Sequence, residues 1–152
     1  MLLEFPKPLL AAVHGAAVGF GATVLLHCDT VLVAADARLR FPFTQLHTAP
    51  EAGSSYLLPR VVGEQRAAEL LYTARWVDAY EAVDLGLAAQ LSEDVLADTL
   101  RLARAVAEQP PAAVQLAKRL LHHGRAEEVR AAITRETEAA AAMTEGFRQR
   151  LG

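Results

Sequence analysis

The stretch Ala12-Val13-His14-Gly15-Ala16-Ala17-Val18-Gly19-Phe20-Gly21-Ala22 constrains this chain more than any other. An apolar run, Leu9 to Val13, meets three glycines at spacings of four and two, and helix-compatible Ala22 to Cys28 follows. The pattern predicts a strand, a tight turn and a buried helix. Glycine supplies the positive φ such a turn needs, and the first N–H groups of a helix lack intrahelical acceptors, so they can point at negative charge. An anion or oxyanion site is one reading of the pattern, and close packing of the helix on the strand is the other. Ala22, Thr23 and Val24 follow Gly21, which matches neither a P-loop nor the full glycine fingerprint of a dinucleotide fold.

A chain of 152 residues that is 53% apolar fits one domain with a real core. The net charge is -3 and the 15 basic residues are scattered, so nucleic acid is not an expected partner. Cys28 is the single cysteine, which excludes an internal disulfide and suits a reducing compartment. No apolar run approaches the ~20 residues of a membrane span, so no membrane partner is expected. Met1 to Pro6 has neither a basic flank nor a small-residue cleavage site, and the expected location is cytoplasmic.

Strands are expected at Leu9–Val13, Thr30–Ala34 and Arg38–Phe41, the first two apolar on both faces, and strands of this kind separated by helices indicate an α/β core. Residues 42–47 read as a loop. Thr48-Ala49-Pro50-Glu51 reads as the opening of a helix that ends near Pro59 or Gly63. Amphipathic helices are expected over Glu64–Ala74 and over Asp78–Leu85, the latter capped by Asp78 and stopped by Gly86, with an edge strand in Leu87–Leu91. From Ser92 the composition turns to helix formers, with helices over 93–108, 111–123 and 126–150. The chain thus divides into a mixed core, 1–91, and a helical region, 92–152, assigned to oligomerisation and to covering the site. Val129, Ile133, Glu136, Ala140, Met143 and Phe147 form a stripe on the last helix that needs a surface to cover it, either its own domain or another subunit.

Few side chains carry candidate chemistry. Glu51 lies between Ala49-Pro50 and Ala52-Gly53, where reduced hydration would raise a carboxyl pKa toward that of a general base. Thr48-x-x-Glu51 also has the form of a capping box with Pro50 in the first turn, so Glu51 has a structural reading as well. The five histidines lack metal-ligand spacing, and no metal is expected. Ser54 and Ser55 lack a nucleophile elbow and suit contacts at a helix start. Phe43, Tyr56 and Trp76 are core residues by default and pocket walls by alternative.

Lys7-Pro8-Leu9-Leu10-Ala11-Ala12-Val13-His14-Gly15-Ala16-Ala17-Val18-Gly19-Phe20-Gly21 resembles the signature of the crotonase (enoyl-CoA hydratase/isomerase) superfamily. The likeness continues through Cys28-Asp29, Ala37 to Phe41, Leu58-Pro59-Arg60-Val61-Val62-Gly63 and Glu81-Ala82-Val83-Asp84-Leu85-Gly86-Leu87. The resemblance implies a spiral of ββα units with C-terminal helices that assemble homotrimers or dimers of trimers. It implies an acyl-CoA thioester substrate held by two backbone N–H groups, the Phe20 N–H being one. No cofactor is implied beyond the coenzyme A of the substrate. Ala17, Val18, Gly19 and Gly21 would line the thioester, and Phe43, Leu46, Pro50 and Tyr56 the acyl chain.

The hydratases that this turn resembles carry two glutamates, whose positions fall here on Thr23 and Phe43. Ala49-Pro50-Glu51-Ala52-Gly53-Ser54-Ser55-Tyr56 is instead similar to the Ser-Pro-Glu-Gly-x-Ser-Ser-Tyr segment of peroxisomal-type Δ3,Δ2-enoyl-CoA isomerases, whose single glutamate is the base. The implied activity is movement of a 3-enoyl-CoA double bond to the 2-position, with Glu51 shuttling the proton. The alternatives are a non-catalytic crotonase-like subunit or fragment acting by assembly or acyl-CoA binding, and another family reaction such as hydration or decarboxylation. Family members carry a Gly-Ala-Asp-like segment before the Lys-Pro strand, for the second donor, and a Lys/Arg-rich final helix. By that comparison the chain reads as shortened at its N-terminus and as stopping early at Arg148-Gln149-Arg150-Leu151-Gly152.

Overall fold

A computed structural model describes residues 2–151, with side chains through Glu145. Strand β1 (Leu10–Val13) turns a corner at His14-Gly15, with Gly15 at φ 64°, and continues as β2 (Ala16–Val18). Helix α1 (Phe20–Thr23) follows and runs into a 3-10 turn, Val24–His27. The pattern then repeats as β3 (Thr30–Val33), β4 (Arg38–Arg40), α2 (Ser54–Val62) and α3 (Glu64–Thr73). Next come β5 (Trp76–Asp78), α4 (Ala79–Asp84) and β6 (Gln90–Leu91), and then helices α5 (Val95–Ala107), α6 (Pro111–Leu121) and α7 (Arg125–Leu151).

The strands form two three-stranded sheets. In the first, β3 lies between β1 and β6, all parallel, with Val13 opposite Val33 and Val33 opposite Leu91. In the second, β4 lies between parallel β2 and antiparallel β5, with Ala17 opposite Leu39 and Leu39 opposite Val77. Each consecutive strand pair, β1-β2 and then β3-β4, therefore steps from one sheet to the other, and the chain winds as a spiral. The corner is tied by the Arg38 N–H, which donates to Gly15 O at 2.8 Å.

The core lies between the sheets and α2 to α4, where Val33, Leu39, Leu58, Leu70 and Val77 are sealed from water. Leu39 is the central residue of the second sheet, so Leu39→Ala is expected to cost about 2–5 kcal/mol. Urea unfolding should show this as a lower midpoint with an unchanged slope.

Several expected boundaries need correction. The glycine-rich turn contains a strand, β2, and the helix expected over Ala22–Cys28 is one α-helical turn from Phe20 followed by the 3-10 turn. Strand β5 falls in a stretch read as the gap between two helices. The helix expected to open at Thr48 begins at Ser54, because Ala52 and Gly53 adopt φ 57° and 75° and cannot belong to a right-handed helix. Thr48 and Glu51 thus form no capping box. Asp78 does cap α4, accepting from the Glu81 N–H at 2.8 Å, and Gly86 ends that segment at φ 77°.

The α7 stripe covers its own domain along its first half. Val129 and Ala132 are fully buried and Glu136 is nearly so, whereas Met143 is exposed; the Phe147 side chain lies outside the described residues. Among the described residues no helix is long and apolar enough to cross a membrane.

Candidate functional site

Gly19 joins β2 to α1 with φ 56° and ψ -120°, and its N–H is tied to Arg40 O at 3.0 Å, so the turn is anchored on β4. Helix α1 starts at Phe20 with no side-chain cap, which leaves the Phe20 N–H at a helix start without an intrahelical acceptor. Gly19 O accepts from the Ala22 and Thr23 N–H groups at 3.0 and 2.9 Å, and the buried Thr23 hydroxyl donates to Phe20 O at 3.3 Å. Thr23 therefore serves the helix and presents no acid to the turn.

Glu51 reaches this turn from the loop before α2. A methyl group placed on Gly19 would lie 3.8 Å from Glu51 Oε1. The two residues line a cavity of about 320 Å³ together with Phe43, Leu46, Pro50 and Ile133. Glu51 is nevertheless exposed, so the reduced hydration expected from its apolar neighbours in sequence is not supplied by this chain alone.

The Glu51 loop is gripped on both sides. From α7, the Glu136 carboxylate accepts from the Gly53 N–H at 2.7 Å, the Ser55 N–H at 2.9 Å and the Ser55 hydroxyl at 2.6 Å. It therefore caps α2 from 83 residues away. Gly53 permits this approach, because a Cβ there would fall 2.6 Å from Val129 Cγ1. From the other side, His27 donates its Nε2–H to Ala52 O at 2.7 Å. Burial pulls the His27 imidazole below its ordinary 6.5, and the Arg125 charge acts in the same direction. Glu136 and His27 were not among the sequence candidates for the site. The one available signal was a carboxylate inside an apolar stripe.

The remaining candidates divide between the cavity and its surroundings. Phe43 is buried in the cavity wall, Pro50 is half-buried there, and Leu46 stands exposed at the edge. Val18 and Gly21 are exposed beside the turn, while Ala17 is buried and belongs to the core. Tyr56 departs from expectation. It lies on the face of α2 turned toward the 3-10 turn, under the Arg60 guanidinium at 3.3 Å, and lines a separate cavity of about 510 Å³ with Leu25, Cys28 and Arg125. Trp76 stands outside the Glu51 cavity, with Arg38 4.5 Å and Arg40 5.2 Å from its ring centroid. The arrangement joins the Glu51 carboxylate, a helix-start N–H without an intrahelical acceptor and an apolar wall; Glu136 also lines the cavity, but its oxygens are taken by Gly53 and Ser55. That set can move a proton next to a developing oxyanion.

The profile of the Enoyl-CoA hydratase/isomerase family matches residues 1–149. The chain is 38% identical over 123 residues to the 1,2-epoxyphenylacetyl-CoA isomerase of Escherichia coli K12, a match covering 80% of this chain and 47% of that one. It is 35% identical over 132 residues to Enoyl-CoA delta isomerase 2 of Rattus norvegicus, covering 85% of this chain and 34% of that one. An enoyl-CoA hydratase/isomerase crystal structure from Pseudoalteromonas atlantica T6c aligns with a TM-score of 0.91 at 41% identity, over 93% of this chain and 58% of that one. The chain spans about half, or less, of the length of the curated relatives it matches. With the two-sheet spiral shared and the profile matched almost from end to end, the chain belongs to the enoyl-CoA hydratase/isomerase family of the crotonase superfamily.

Proposed function

We propose that this protein is an acyl-CoA isomerase that moves a 3-enoyl-CoA double bond to the 2-position. The observation that carries the reading is the Glu51 carboxylate set against the Gly19–Phe20 turn, with the other cavity carboxylate, Glu136, committed to Gly53 and Ser55. Glu51 takes a proton from C2 of the 3-enoyl thioester. The electrons of that C–H bond become the new C2–C3 double bond as C3=C4 shifts, with negative charge carried transiently on the thioester oxygen. The same carboxylate returns its proton to C4. One C–H bond breaks and one forms, so one group of suitable pKa suffices. The Phe20 N–H donates to the thioester oxygen, and α1 adds its positive end. Hydration would ask for a second acid or base to activate water; Thr23 is committed to Phe20 O, Phe43 is a buried hydrocarbon, and the Glu136 oxygens are held by Gly53 and Ser55. Relatives named as isomerases and as hydratases both match, so the reading rests on the Glu51 geometry and not on their names.

The test is to incubate the purified chain with a 3-enoyl-CoA and to follow the conjugated 2-enoyl thioester by ultraviolet absorbance, with mass spectrometry of the products. Rising absorbance without a hydrated product supports the isomerase. A 3-hydroxyacyl product would replace it with a hydratase, and no turnover by a folded chain would favour a binding or assembly subunit. Phe20 offers a second probe, since proline is tolerated at the first helical position and lacks the N–H. Phe20→Pro is expected to keep the circular dichroism spectrum and to lower kcat by ~10²–10³-fold.

A further inference from the structure

His27 ends the 3-10 turn that continues α1, so the segment Phe20–His27 carries the Phe20 N–H at one end and an imidazole at the other. The imidazole is 9% exposed, and its Nε2–H meets Ala52 O at 2.7 Å. Since a carbonyl only accepts, the hydrogen bond requires the proton on Nε2. Ala52 directly follows Glu51 and holds φ 57°, a left-handed conformation that costs an alanine ~1–2 kcal/mol and persists only where its surroundings hold it. We propose that His27, neutral and protonated at Nε2, is a positioning residue that fixes the Glu51 carboxylate relative to the Phe20 N–H by holding the Ala52 peptide. The assignment rests on the reading of Glu51 as the base.

The surroundings of His27 favour the neutral ring. His27 Nδ1 is buried with no hydrogen-bond partner among the described residues, so a second proton there would be an unsatisfied donor. Lys118 from α6, His122 just past its end and Arg125 from α7 line a small cavity with it; Asp29 pairs with Lys118 at 2.8 Å and lies 3.2 Å from His122, and Arg125 donates to Leu26 O. The hydrogen bond to Ala52 O and, from α7, Glu136 oppose burial and the Arg125 charge, and the Glu136 oxygens are engaged by Gly53 and Ser55. A group whose folded pKa lies below its unfolded 6.5 contributes stability that is complete above pH 6.5 and is lost as pH falls toward the folded value.

The test compares His27→Gln, whose amide nitrogen reaches the position of Nε2, with His27→Asn, whose amide stops near Nδ1, and with His27→Leu, all in the full chain. We expect kcat to fall ~10–100-fold in the Asn and Leu variants with KM within about twofold, and the Gln variant to recover most of it. Nitrogen NMR of the wild-type ring should report the Nε2–H tautomer, a result that requires no variant to fold. A ring protonated at Nδ1, equal kcat in the Gln and Asn variants, or a folded Leu variant at full rate would overturn the proposal. If the wild type does not isomerise the substrate, or Glu51→Gln keeps full activity, the base reading has failed and the positioning role fails with it. If Glu51→Gln is inactive while His27→Leu is not, the positioning role alone has failed.

Discussion

Glu51→Gln is expected to lower kcat for 3-enoyl-CoA isomerisation by ~10²–10⁴-fold, the range contributed by a positioned acid or base. The substitution keeps the shape of the side chain, removes its charge and its ability to take a proton, and replaces one acceptor oxygen with an NH₂ donor. Stability should hardly change, because Glu51 is exposed and its one structural duty is a backbone one, its carbonyl accepting from the Ser54 N–H at 3.0 Å. Surface changes of this kind stay within ~0.5 kcal/mol, which for a domain of this size is a shift of ~1–2 °C in Tm. Steady-state kinetics beside a thermal melt therefore separates chemistry from folding. Turnover that survives in Glu51→Gln would reduce Glu51 to a loop residue and transfer the oxyanion turn to a reaction that needs no base there.

What could be read from the sequence, and what could not, follows from how local each interaction is. Strands β1, β3 and β4 are continuous or alternating apolar runs bounded by turn residues, and their burial is written into their own composition. Strand β2 is not, because Ala16–Val18 is three residues between two glycines and becomes a strand only by pairing with β4. Strand β5 likewise exists by virtue of its antiparallel partner. Thr48-x-x-Glu51 has the spacing of a helix cap, but the left-handed pair Ala52-Gly53 delays the helix to Ser54, and the cap comes from α7. Glu51 could be singled out by its setting and by family resemblance, whereas its closeness to Gly19 is a tertiary fact. His27 sits among apolar residues in a helical stretch, so the sequence indicates burial and nothing about Ala52 O. The apolar stripe on α7 was legible, but which surface covered it depended on where the donors to Glu136 lay.

Glu136→Ala is the variant expected to cost the fold most at this site, ~3 kcal/mol, and the reasoning rests on what it leaves behind. The side chain is 6% exposed and answers two backbone N–H groups and one hydroxyl at the start of α2. Removing it strands the buried Gly53 N–H, at ~1–3 kcal/mol for an unsatisfied buried donor, and withdraws a negative charge from a helix N-terminus. Ser55 is exposed, so water can serve its groups and soften that part of the loss. Denaturant titration should place Glu136→Gln between wild type and Glu136→Ala, since an amide keeps one acceptor but turns an NH₂ toward the remaining donors. Adding Ser55→Ala to Glu136→Ala should cost almost nothing further, because both act on one hydrogen-bonded unit, and additive losses would show that Glu136 is packing filler instead. Activity should fall along with stability in this variant, because the loop that Glu136 caps is the one that carries Glu51 to the turn.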